Sequence, residues 1–98
     1  MANICTNLFF AQTTNKANLK KIQTFIEEEF VCNSIEVEDN YVEVDFDSRW
    51  TYPKEHIDRL IASLDPDEVL YIRILSHELS NEYVAYKVYR FGKWEIRY

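Results

Sequence analysis

Along this chain the spacing of apolar residues switches between two and about 3.6, and each switch marks an element. Residues 3–11, NICTNLFFA, alternate, with Ile4, Thr6, Leu8 and Phe10 on one face and Cys5, Asn7 and Phe9 on the other, which predicts a first strand. Thr13, Thr14 and Asn15 then offer side-chain acceptors for the free N–H groups of a helix start. Leu19, Ile22, Ile26 and Phe30 follow at helical spacing, so a helix is expected over about residues 15–30. At 34–38, SIEVE turns Ile35 and Val37 inward and Glu36 and Glu38 outward, and Asp39-Asn40 supplies turn residues. The next strand answers with Val42, Val44 and Phe46 inward and Tyr41, Glu43, Asp45 and Asp47 outward. Pro53 is expected at the first position of a second helix, with Glu55 in its first turn, a buried stripe of Ile57, Leu60, Ile61 and Leu64, and Asp65-Pro66 as its stop. Residues 69–76, VLYIRILS, read as a well-covered strand. Tyr83–Arg90 and Lys93–Tyr98 read as a closing hairpin that turns at Phe91-Gly92.

Strand, helix, strand, strand, helix, strand and a terminal hairpin specify the α+β class. The simplest arrangement is a ferredoxin-like βαββαβ sandwich, with both helices on one face of an antiparallel sheet and the first and third strands central. The fourth strand would border the first, and the C-terminal hairpin would extend the sheet to six strands. A length of 98 residues suits one domain spanning 1–98, and 47% apolar and 15% aromatic residues suffice for a core without covalent staples.

Charge narrows the partners. A net charge of −6 disfavours phosphate backbones and anionic lipid surfaces. Neither an export signal nor a membrane-length apolar run is found, so a cytoplasmic protein is expected, with Cys5 and Cys32 as free thiols. In the first helix, Lys16, Lys20 and Lys21 lie toward the positive end of the dipole and Glu27, Glu28 and Glu29 toward the negative end, the reverse of the stabilising order.

Two short motifs carry a resemblance. The opening Met1-Ala2-Asn3-Ile4-Cys5-Thr6-Asn7 resembles an M-x-N-x-C-x-N start, and Asp47-Ser48-Arg49-Trp50-Thr51-Tyr52-Pro53 resembles a segment in which a small polar residue leads to Trp, then Ser or Thr, then Pro. Both are features of the ferredoxin-like domains of phage-borne and plasmid-borne YubB-type (Api92-like) proteins. Ile4 stands where that family often has an aromatic, and Tyr52 replaces the first residue of a common Pro-Pro pair. The resemblance implies a small accessory protein of a mobile element and no particular chemistry.

Binding is the expected activity, with no catalytic residue and no cofactor. Glu36, Glu38, Glu43, Asp45 and Asp47 place five carboxylates on a two-strand ribbon, where like charges facing each other cost stability. With Glu27, Glu28 and Glu29 as a second acidic patch, they are expected to meet a protein with a basic surface, as an anti-defence inhibitor or nucleic-acid mimic would. The alternative is a nucleic-acid module using Tyr71, Arg73 and Lys87, with Tyr83 and Tyr89 on the same face. A third class, a small metal-dependent enzyme using Asp45 and Asp47 beside Glu43, lacks a calcium loop or zinc spacing, and no metal site is expected. His56 and His77 are read as surface residues, and neither cysteine has a base nearby in sequence. Trp50 is expected to plug the gap between sheet and second helix.

Overall fold

The computed structural model describes residues 4–98, and the Met1-Ala2-Asn3 part of the opening motif lies outside the described residues. Its elements are β1 (Ile4–Gln12), α1 (Lys16–Glu29), β2 (Val31–Val37), β3 (Tyr41–Arg49), α2 (Lys54–Ser63), β4 (Tyr71–Glu78), a short 3-10 turn (Leu79–Asn81), β5 (Tyr83–Arg90) and β6 (Lys93–Ile96). All six strands form one antiparallel sheet in the order β2-β3-β1-β4-β5-β6. This order is compatible with a ferredoxin-like fold carrying an added hairpin.

Alternation decides which side of each strand is covered. Phe9 and Ala11 of β1, Val42, Val44 and Phe46 of β3, and Ile72 and Ile74 of β4 join Leu19, Ile22 and Ile26 of α1 and Ile57 and Leu60 of α2 in one core. Phe46 anchors it, with its ring 4.3 Å from Phe30 and 6.2 Å from Phe9. At the α1 start, Asn15 caps the helix by accepting from Asn18 N–H at 3.0 Å. Buried Asn18 in turn ties α1 to the segment after α2: its side chain donates to the Asp65 carbonyl at 3.1 Å and to Asp67 at 3.2 Å, and accepts from Asp65 N–H at 2.9 Å.

Several expectations shift. Pro53 is the N-cap of α2, one residue before the helix proper. Ile35 and Val37 do face the core side, opposite Val44 and Val42, but β2 is an edge strand and they stay 40% and 45% exposed. Trp50 is no plug. It sits at φ 69 and is 56% exposed. Tyr52 packs against the core instead, its N–H donating to the Tyr83 hydroxyl at 3.0 Å and Lys87 Nζ lying 4.5 Å from its ring. A glycine-like backbone at Trp50 directs the indole outward and lets Tyr52, the next residue but one, turn in.

The apparent reversal of charge on α1 is partly relieved by tertiary contacts: Lys16 Nζ donates to the Asp39 carbonyl at 2.7 Å, Lys21 pairs with Asp65 at 3.4 Å, and Glu29 pairs with Arg59 at 3.6 Å. Both cysteines are free thiols, Cys5 buried and Cys32 half-buried, and burial pushes each thiol above its ordinary range. Among the described residues no helix is long and apolar enough to cross a membrane.

Candidate interaction surface

Strand register fixes the residues on the sheet face turned away from the core. Directly opposed residues in an antiparallel pair share a face, so the register can be followed from strand to strand. Glu36 lies opposite Glu43, Glu43 opposite Phe10, Phe10 opposite Arg73, Arg73 opposite Val88, and Val88 opposite Glu95. One row of residues therefore crosses the whole face.

Its β2–β3 part is acidic. Glu36, Glu43, Asp45 and Asp47 all stand there, and Glu38 follows β2 in the tight turn where its N–H donates to the Tyr41 carbonyl at 2.9 Å. The ribbon manages its crowding with neutral donors: the Tyr41 hydroxyl donates to Glu36, and Asn33 Nδ2 donates to Asp47 at 2.8 Å and Asp45 at 3.4 Å. Asn33 reaches both because it is the extra residue of a bulge between Cys32 and Ser34. The bond to Glu36 holds the Tyr41 phenol back from ionising and pushes its pKa up to about 12. None of these four carboxylates pairs with a cation among the described residues, whereas Glu29 of the second predicted patch does. Glu27 and Glu28 are exposed on α1, away from this ribbon.

The middle of the face is apolar and aromatic. Leu8 faces Leu75 across β1 and β4, and Tyr86 continues the row on β5. Together with Phe10, Ser34, Asp45 and Arg73 they line a shallow depression of about 520 Å³. Phe10 stacks on Tyr41 at 5.4 Å and meets Tyr71 edge-on at 6.2 Å, while the Arg73 guanidinium lies 4.2 Å from its centre.

Tyr71 and Arg73 therefore share this face, but Lys87 does not. It lies opposite buried Ile74 and points with Tyr83 and Tyr89 toward the helix side, so the three residues of the nucleic-acid set are not brought together. The far side of the open face instead turns basic through Arg90, which reaches the Tyr71 ring at 5.7 Å, and Lys93 opposite it. Arg90 and Arg97 both bind Glu95, at 3.1 and 2.9 Å.

Sequence reading missed a buried polar cluster at one end of the sheet. Asn7 is fully buried; its Nδ2 donates to Ser48 Oγ at 2.9 Å and the Phe46 carbonyl at 3.2 Å, and its Oδ1 accepts from Ser76 Oγ at 2.6 Å. Ser48 passes the connection on to the Thr51 carbonyl at 2.9 Å, fastening the β3–α2 loop. A polar residue at an inward position of β1 was the one signal in sequence. No cluster of His, Cys, Asp and Glu suited to a metal ion occurs among the described residues. No family model, no curated protein and no solved structure matches this chain.

Proposed function

We propose that this protein is a non-enzymatic binding module whose acidic sheet half engages a basic surface on a partner protein. The observation that carries the reading is the set of Glu36, Glu43, Asp45 and Asp47, four carboxylates on one face with no cation paired to any of them among the described residues. Glu36 and Glu43 oppose each other directly, an arrangement that costs stability in the isolated protein and is relieved by an incoming cation. A ferredoxin-like arrangement, with both helices on the core side, supports the reading because it leaves this face uncovered. In that setting the module acts by occupancy, as an inhibitor or nucleic-acid mimic does. The motif resemblance favours an accessory role in a mobile element, in the cytoplasm.

Base stacking by the open face is the weaker reading. Phe10, Tyr41 and Tyr71 form an aromatic row, but Arg73 and Tyr41 already occupy the faces of Phe10. The test is capture from host lysate at low and moderate salt by wild type and by a Glu36→Lys, Glu43→Lys, Asp45→Lys variant. The variant is expected to lose a basic partner that wild type retains, and the wild-type complex is expected to weaken with salt. Retention of the same partners by both proteins overturns the proposal.

A further inference from the structure

The open face is acidic at one side, apolar in the middle and basic at the other, and this pattern is complementary to itself. Three strands lie on either side of the boundary between β1 and β4: β3 and β2 on one side, after β1, and β5 and β6 on the other, after β4. Glu36, Glu43, Asp45 and Asp47 belong to the first side, and Arg73, Arg90, Lys93 and Arg97 to the second. Each side keeps one residue of opposite sign, Arg49 and Glu95. A two-fold axis along the strands, placed between β1 and β4, sets β3 of one copy over β5 of the other and β2 over β6; position along the strands is kept, so Glu36 stands over Glu95, flanked by Lys93 and Arg97, and Glu43 over Val88, next to Arg90. A two-fold axis across the strands would instead set acid on acid.

From this arrangement we infer that the protein forms a face-to-face homodimer through its open sheet, with the acidic half of each copy on the basic half of the other. Leu8 and Leu75 flank the axis, and so do Phe10 and Arg73, so the centre of the contact is apolar apart from Arg73 and the other charged residues lie toward its edges. Strand spacing and rise give a face of roughly 600 Å² per copy, near the ~800 Å² each partner gives a standard stable interface. The net charge of −6 opposes approach at long range, but screening confines that repulsion to about a Debye length while the paired charges act in contact.

This inference rests on the open face being the binding surface and names a second copy of the chain as one occupant. Its test is sedimentation over a concentration series for wild type, for Glu43→Lys with Asp45→Lys, and for Arg90→Glu with Lys93→Glu, with circular dichroism to establish that each is folded. Wild type is expected to dimerise, and each variant alone to dimerise at least ~10-fold more weakly, because like charges then face each other. An equimolar mixture of the two variants is expected to restore a dimer, since the reversed charges of one then face reversed charges of the opposite sign on the other. Wild type monomeric throughout overturns the homodimer while leaving a foreign basic partner open to the capture experiment. Dimerisation unchanged in both variants, or a mixture no tighter than its components, overturns this face as the interface. Should a variant fail to fold, Glu43→Gln with Asp45→Asn and Arg90→Gln with Lys93→Gln replace the pair, each expected to weaken the dimer and their mixture to recover part of the loss, because one half of the mixed interface is then wild type.

Discussion

Asn7 shows how much one side chain can hold at the residue scale. Its amide joins β1 to β3 and β4 at once and, through Ser48, to the loop that leads into α2. Asn7→Ala leaves the Ser76 hydroxyl and the Phe46 carbonyl short of a partner in a buried site, so a loss of about 2 kcal/mol is expected in urea unfolding. Neither partner was legible in sequence, because Ser48 and Ser76 lie 41 and 69 residues away. Tyr41 yields a prediction of opposite visibility. Its phenol is harder to ionise in the folded protein, so the contribution of its bond to Glu36 is fully present below about pH 10, the unfolded value, and is lost as pH rises toward 12. The stability difference between wild type and Tyr41→Phe should therefore be constant from pH 8 to about 10 and shrink above it. A difference that grows with pH would contradict the assignment.

Elements were legible wherever alternation or helical spacing was long, and the β2–β3 ribbon shows both the success and its limit. Its inward and outward sets followed from period two, but the exposure of Ile35 and Val37 depends on the edge position of β2, which is a tertiary fact. The placing of Lys87 failed for a related reason. Parity relative to Arg73 is set by the residues between β4 and β5, where a 3-10 turn and Glu82 at φ 57 fix the register. The β5–β6 turn carries a further cost. Phe91 and Gly92 both take positive φ, 53 and 73, the pattern of a type I′ turn in which Asn-Gly is preferred. Phe91 is 81% exposed and adds little packing at that site. Phe91→Asn is expected to raise stability by about 1 kcal/mol in thermal or urea unfolding, because asparagine tolerates the left-handed region. If stability instead falls, the phenyl ring has a contact that outweighs the backbone strain.

For the whole molecule, the distribution of charge across the sheet matters more than its total. A net charge of −6 predicts an acidic surface, and the acidic ribbon was visible as alternating Glu and Asp. The basic side was not, because Arg73, Arg90 and Lys93 come from three strands whose shared face exists only once the sheet is registered. Strand order has another consequence, for the making of the chain. β1 pairs with β3 on one side and β4 on the other, so it is synthesised before either neighbour exists. Until residue 78 has emerged, the stretch that becomes the middle of the sheet carries Phe9 and Phe10 on a ladder closed on at most one side. A growing chain thus keeps this strand open on at least one side until β4 has been made, and a stall between β3 and β4 presents a ready template to any passing extended peptide.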